Sequence, residues 1–256
     1  MSTEMVDKSA VGTTGPQYHV GVESGQISEV VLMPGDPFRV QLIADRLEDP
    51  VEVAHQREYR TVTGRYKGRL ITACSSGMGC PSTAIGVEEL ARAGAKVFIR
   101  VGSTAALQPH IGVGDLIVSE GSFRNDGTTT AYVPPAYPAV PDLELTVMLK
   151  QVAAELGEER GIAVHSGINA TDDAFYAESP EWIAKLSSMG LTNVEMESSA
   201  MFVVARLRGL RAGMVCAVSG NLVTGDVVYG GANDRLATGW THSIDVALEA
   251  VYRLGL

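Results

Sequence analysis

Short apolar runs and longer amphipathic stretches alternate through most of this chain. The first run, residues 29–33, stops at Pro34-Gly35-Asp36-Pro37, which predicts a buried strand entering a tight turn. Residues 51–62 and 69–76 are rich in Val, Ile, Thr and Tyr and are separated by Gly64 and Gly68. This is the pattern of a hairpin, with Arg57-Glu58-Tyr59-Arg60 as charge on its solvated face. The Gly-rich loop Ser75-Ser76-Gly77-Met78-Gly79 then leads into a helix. Pro81 suits its first turn, and Ala84, Val87, Leu90 and Ala91 form its apolar stripe. Further strands are predicted at 97–101, 115–118, 162–170 and 213–218, and helices at 143–156 and 180–189. A final helix carries Ile244, Ala247, Leu248, Val251 and Leu254 on one face. Four prolines between 132 and 141 mark a loop rather than a linker, because apolar patterning resumes on both sides. Strands alternating with helices predict a mixed α/β domain with sites at strand ends.

The junction at Asn193-Val194-Glu195-Met196-Glu197-Ser198 is where a short strand gives way to a helix bearing Ala200, Met201, Val203, Val204 and Leu207 at helical spacing. Glu195 and Glu197, one residue apart on a strand end, point the same way and can grip a hydroxylated ligand. The alternative is an acidic helix start that complements the helix dipole. Two positive signals sit at other strand ends. Arg39 follows the Gly35 turn, whose exposed N–H groups suit a phosphate or carboxylate. Arg100 stands inside the run Val97-Phe98-Ile99-Arg100-Val101, just before Gly102-Ser103-Thr104-Ala105-Ala106, read here as a donor-rich loop. A guanidinium in an apolar strand is costly to desolvate unless paired, so its partner is either a bound anion or an internal carboxylate.

Composition narrows the function classes. The 256 residues carry a formal net charge of -10, which disfavours nucleic acid and anionic membranes as partners. Cys74, Cys80 and Cys216 have neither metal-ligand nor disulfide-framework spacing and fit buried thiols in a reducing cytoplasm. Residues 1–17 are polar, with no apolar run to act as a signal peptide or membrane span, and are expected to form a flexible leader.

Five motifs now stand in order: Met33-Pro34-Gly35-Asp36-Pro37-Phe38-Arg39, His55-Gln56-Arg57-Glu58-Tyr59, Phe98-Ile99-Arg100-Val101-Gly102-Ser103-Thr104, Asp173-Ala174-Phe175-Tyr176 and Val194-Glu195-Met196-Glu197. Together they resemble the hexameric nucleoside phosphorylase family over roughly residues 16–254. The first 145 or so residues look most like its uridine-cleaving members, and the C-terminal half resembles archaeal methylthioadenosine-cleaving ones. The resemblance implies a three-layer mixed-sheet α/β sandwich, one domain over residues 18–256, assembled as a homohexamer of dimers. It also implies phosphorolysis of a nucleoside, with phosphate as co-substrate and no cofactor. Uridine is the first expectation, and a 6-oxopurine nucleoside or a catalytically altered nucleoside binder is the alternative.

Carried over by the same resemblance, Gly35, Arg39, Arg100 and Ser103 bind phosphate, and Arg57 reaches the neighbouring subunit's phosphate site. His19 crosses the same interface towards the ribose, which Glu195, Met196 and Glu197 hold, while Phe175 packs on the base. Arg39, Arg100 and Glu197 form the catalytic set, and Glu58 and Ser82 match an optional monovalent cation site. Such a reaction passes through a cationic ribosyl transition state, so arginines that hold the dianion and carboxylates that favour positive charge on the sugar suffice. The base end departs from the family. Ala177-Glu178-Ser179-Pro180-Glu181 lacks the Gln-x-Arg pair that reads uracil, and Gly220 replaces the Asp that protonates purines. Gly220, Asn221 and the pair Asp234-Arg235 are the remaining candidates for base contact, with a turn-forming role the alternative for Asn221.

Overall fold

A computed structural model of the chain describes residues 15–228 and 233–256. Its strands are β1 (Val30–Met33), β2 (Glu48–Gln56), β3 (Tyr59–Tyr66), β4 (Arg69–Cys74), β5 (Val97–Ala106), β6 (Leu116–Asn125), β7 (Val164–Asp172), β8 (Asn193–Glu195), β9 (Arg211–Asn221) and β10 (Asp226–Val227). The helices are α1 (Pro37–Ala44), α2 (Cys80–Ala93), α3 (Thr128–Tyr132), α4 (Leu143–Arg160), α5 (Pro180–Ser188), α6 (Ser198–Leu207) and α7 (Asp234–Leu254). The leader expected at 1–17 falls mostly outside the described residues, but Gln17 is buried and its N–H donates to the Val22 carbonyl at 2.9 Å. None of the described helices is long and apolar enough to cross a membrane.

The strands form one mixed sheet in the order β10-β9-β6-β7-β8-β5-β1-β4-β3-β2, with β9 also pairing β5. That extra pairing closes β5, β9, β6, β7 and β8 on one another. Side chains alternate across each strand and so divide the core. Val30 and Leu32 of β1 and Val97, Ile99 and Val101 of β5 pack with α1, α4 and α7. Val31, Met33 and Phe98 pack with α2 and α6 on the other face. The result is the expected single-domain, three-layer arrangement. Arg100, two residues beyond Phe98, therefore points to the α2/α6 side, at the C-terminal end of the apolar run.

Two local readings of the sequence need correction. Residues 51–62 are not one strand: β2 and β3 pair as their own hairpin, turning at Arg57-Glu58, with Arg57 at φ 55°. Nothing in the composition flagged that turn, because it contains no Gly, Pro, Asn or Asp. The Gly102–Ala106 stretch is not a loop but the upper half of β5, paired with β9 and, at Ala105 and Ala106, with β8. Gly102 belongs in the strand because a Cβ there would lie 3.1 Å from Arg100 Nη1 and 3.2 Å from its Cζ. The guanidinium folds back over its own strand.

All three cysteines are free and buried. Burial pushes the Cys74 thiol up to about 12 and the Cys216 thiol up to about 11, and it raises Cys80 as well. Since the thiolate is the reactive form, the native protein is expected to show no thiol reacting with an aromatic disulfide reagent at pH 8, and all three after unfolding in guanidinium. A rapid native-state reaction would contradict this burial.

Candidate functional site

The C-terminal ends of β1, β5, β8 and β9 converge on a cleft of about 550 Å³. One end is built from Gly35, Asp36, Pro37, Arg39, Arg100 and Ser103, and the other includes Phe175, Glu178, Gly220, Leu222 and Val227. Between them lie Val194, Glu195, Met196 and Glu197. Arg100 pairs with Met33 of β1 and with Met214 of β9, so its position is fixed by strand register from both sides.

Of the two partners open to Arg100, the internal carboxylate is the one present. Its Nε lies 2.7 Å from Glu195 Oε2, and its Nη2 pairs with Glu197 Oε2. The three side chains are 5%, 1% and 6% exposed, so this is a buried ion triad. Yet Arg100 Nη1 is buried without a hydrogen-bond partner among the described residues, and Nε, though within ion-pair distance of Glu195, also lacks one of hydrogen-bond geometry. Burial works to lower the Arg100 pKa, but Glu197 and then Glu195 more than offset it and hold the group above the ordinary arginine value. For Glu197, burial raises the pKa and the Arg100 charge opposes that rise.

The two glutamates are not equivalent. Glu195 Oε1 accepts from Thr171 Oγ1 at 2.7 Å and from Ser198 Oγ at 2.7 Å. Its Oε2 accepts from the Glu197 N–H at 2.9 Å and the Ser198 N–H at 3.0 Å. Register explains the first bond, because Thr171 of β7 lies opposite Glu195 of β8. With its oxygens occupied, Glu195 caps α6 and orients Arg100; it offers little to a sugar hydroxyl. Glu197 is held more loosely. Its Oε1 accepts from the Gly79 N–H at 2.8 Å, at the start of α2, where the helix dipole favours a negative charge. Glu197 is thus the carboxylate placed to face a ligand in the cleft.

Arg39 differs from Arg100 in having no carboxylate within ion-pair distance among the described residues. Burial, then the Arg100 charge, lowers its pKa from the ordinary value. Its Nη1 donates to Ser103 Oγ at 3.1 Å, and its guanidinium lies 5.3 Å from the Trp240 ring centroid. Ser103 Oγ also accepts from Trp240 Nε1 at 2.8 Å. Accepting two bonds leaves its O–H to be donated elsewhere. Two guanidiniums and a hydroxyl therefore converge on one end of the cleft, a donor set whose chemistry suits an anion, although the N-terminus of α1 beside it is already capped by Asp36.

Other predicted residues are distributed unevenly. Gly35, Met196, Phe175 and Gly220 line the cleft. His19 and Arg57 do not. The His19 ring pairs through Nδ1 with Glu89 at 2.6 Å, and Arg57 lies over the Tyr18 ring at 5.9 Å on the far side of the β2–β3 turn. Glu58 and Ser82 come together around Gly77, where a Cβ would lie 2.7 Å from Glu58 Cγ and 3.1 Å from Ser82 Oγ.

Asn221 is not a base contact here. Its Nδ2 donates to the carbonyls of Gln108 and Ile111 at 2.8 and 2.9 Å, and its Oδ1 accepts from the N–H groups of Val223 and Thr224 at 2.9 and 3.0 Å. The last two bonds form the turn after β9, the role open to an Asn beside a Gly, and the first two tie that turn to residues 108–111. Asp234 and Arg235 are likewise removed from the cleft, opening α7 beside Gly114 and Asp115.

Sequence reasoning missed Glu178, which lines the base-side end of the cleft, and Trp240, which orients Ser103. Neither carried a signal, since Glu178 precedes an ordinary helix cap and Trp240 sits within an amphipathic helix.

Comparison with known proteins follows this geometry. Residues 29–238 match the family model described as the phosphorylase superfamily. A guanosine phosphorylase from Halorubrum lacusprofundi is 43% identical, covering 86% of this chain and 90% of its own. A uridine phosphorylase from Thermococcus kodakarensis is also 43% identical, over 87% of this chain and 83% of its own. The crystal structure of uridine phosphorylase from Vibrio fischeri superposes with a TM-score of 0.86 at 33% identity, covering 94% of this chain and 99% of that one.

Because the triad sits where its energetics can be isolated, Glu195→Ala tests the positioning role. Breaking a buried ion pair while uncapping α6 is expected to cost about 3–5 kcal/mol of stability, read by urea unfolding. A loss below about 1 kcal/mol, the range of surface pairs, refutes that role.

Proposed function

Since the chain belongs to the phosphorylase superfamily, we propose that its cleft carries out phosphorolysis of a nucleoside to free base and a pentose 1-phosphate. The single observation that carries this reading is the convergence of Arg39, Arg100 Nη1 and the Ser103 hydroxyl on one end of the cleft, with Glu197 beside them. A hydrolase that used water in place of phosphate would gain nothing from two desolvated guanidiniums there. In the reaction, a phosphate oxygen bonds to the anomeric carbon as the glycosidic C–N bond breaks, and the base leaves with the bonding pair and gains a proton. Arg39 and Arg100 hold the dianion in line, and Glu197 fixes the sugar and favours the positive charge that develops on it. Glu195 acts through Arg100 and the Glu197 backbone. Gly35 lets the backbone approach the phosphate, and Met196 and Phe175 supply apolar contact to sugar and base.

By name alone the relatives favour uridine, since most of those similar carry the name uridine phosphorylase. A 6-oxopurine nucleoside is the second reading, favoured by the guanosine phosphorylase relative and by a base-side end without an amide or guanidinium among the described residues. The absence of His19 and Arg57 from their own chain's cleft supports action across a dimer interface, and with it a hexamer of dimers. Glu58 and Ser82, gathered around Gly77, are the candidates for a monovalent cation between subunits.

Release of base from uridine, thymidine, guanosine, inosine and adenosine, each with and without phosphate, tests the reading. Turnover is expected only with phosphate; phosphate-independent release overturns it. Arg39→Ala is expected to lower turnover about 10²–10³-fold with little change in thermal melting, since Arg39 has no buried carboxylate to strand. Arg57 calls for a different measurement. Arg57→Ala and Glu197→Gln, each inactive when expressed alone, are expected to recover activity when co-expressed, because a mixed dimer holds one intact site. Failure to complement would place Arg57 within its own chain's site or outside catalysis.

A further inference from the structure

Phe175–Ala177 form a single 3₁₀ turn, and Glu178 follows it just before Ser179, whose hydroxyl accepts from the Trp182 N–H at 3.2 Å to cap α5. This connection is anchored on both sides. The Ala177 N–H donates to the Ala174 carbonyl at 2.8 Å, and Trp182 Nε1 donates to Asp172 Oδ2 at 2.8 Å. The Glu178 side chain is half-buried, lines the cleft beside Phe175, and makes no hydrogen bond or ion pair among the described residues. Its other neighbours at this end are Leu222, Val227, Ala105 and Gly220, which bring no side-chain donor. Ser219 Oγ, nearby, is committed to the Thr104 carbonyl at 3.1 Å.

We propose that Glu178 is the base-reading residue of this cleft and that the base it selects is a 2-amino-6-oxopurine, so that guanosine is the preferred substrate class. The inference rests on the phosphorylase reading above and adds the base to it. A carboxylate is acceptor-only, with two oxygens side by side. The edge of guanine presents N1–H and one N2–H in parallel at matching spacing, so the pair forms two charge-assisted hydrogen bonds. Uracil presents a single N3–H flanked by two carbonyl oxygens, each of which repels the carboxylate. Hypoxanthine offers only N1–H, and adenine sets an acceptor N1 beside its amino group. The electrostatics of the site agree: burial, and then Asp172, push the Glu178 carboxyl up to about 7 in the free protein, the signature of an anion short of donors. Guanine supplies the donors that favour the ionised form. The walls at this end are aliphatic, and Phe175, 46% exposed, lines the cleft beside Glu178.

The test is kcat/KM for guanosine, inosine and uridine, with phosphate, in the wild-type chain and in Glu178→Gln and Glu178→Ala. Wild type is expected to favour guanosine over uridine. Losing a bidentate contact is worth about tenfold to a hundredfold, so both variants are expected to lose guanosine activity by that factor. Glu178→Gln should in addition retain or gain activity on uridine, because an amide can accept from N3–H and donate to a neighbouring carbonyl. A structural defect would depress all substrates together and leave the ratio unmoved. Wild-type preference for uridine, or a guanosine-to-uridine ratio unchanged by either variant, overturns the assignment of Glu178 while leaving phosphorolysis intact. No phosphate-dependent cleavage of any nucleoside overturns the underlying function as well.

Discussion

The architecture of the cleft depends on keeping one guanidinium charged inside a sheet. Arg100 sits on a central strand with β1 on one side and β9 on the other, almost wholly buried. An unpaired charge there would cost several kcal/mol after relaxation. Glu195 and Glu197 remove most of that cost, but each must be fixed in turn. Glu195 is fixed by the opening of α6 and by Thr171 on the neighbouring strand; Glu197 is fixed by the opening of α2. Five elements therefore meet at this ion triad. After the internal bonds are counted, Arg100 Nη1 is left without a partner among the described residues, and Arg100 and Glu197 both line the cleft.

The sequence carried the position of this centre because charge is rare in an apolar strand, and Arg100 was legible on that ground alone. The unbroken apolar runs of β1 and of residues 97–99 in β5 likewise fit strands covered on both faces. What the chain did not reveal were facts of three-dimensional register. The Gly102–Ala106 segment looks like a loop by composition, yet it is strand because β8 and β9 are there to pair with it. The turn at Arg57-Glu58 lacks the usual turn residues, and tertiary pairing of β2 with β3 imposes it. Glu195 and Glu197 read as equivalent in sequence, while Thr171 and Ser198, remote and adjacent donors respectively, make one of them structural. The same holds for Asn221, whose partners at Gln108 and Ile111 are about a hundred residues away in sequence, at separations of 113 and 110. Gly35, Arg39, Arg100 and Ser103, the residues that the resemblance assigned to phosphate on this chain, lie together at one end of the cleft, but the resemblance could not supply a base contact that the family pattern does not contain.

The two ends of the cleft are built from different kinds of structure, and this bears on how specificity is set. Gly35, Arg39, Arg100 and Ser103 stand on strand ends and a helix start that are locked into the ten-stranded sheet. A shift there would disturb the core on both faces. Phe175 and Glu178 stand instead on a connection between β7 and α5 whose neighbours are solvent-exposed, Tyr176 at 99%. The facing wall, Leu222 and Val227, belongs to the tight turn between β9 and β10.

Physical coupling between those ends is weak, because the connection contributes little to either core cluster that holds the sheet. Residues there can be exchanged at small cost in stability, whereas exchange at the triad unpairs a buried charge. A site organised in this way keeps one chemistry, transfer of a pentose to a dianion, and leaves the identity of the departing base to a few side chains on a loop. A lone carboxylate at Glu178, where the family resemblance leads one to expect an amide–guanidinium pair, then bears on what the cleft recognises, while Arg39, Arg100 and Glu197 stand apart from it on the sheet and its helix starts.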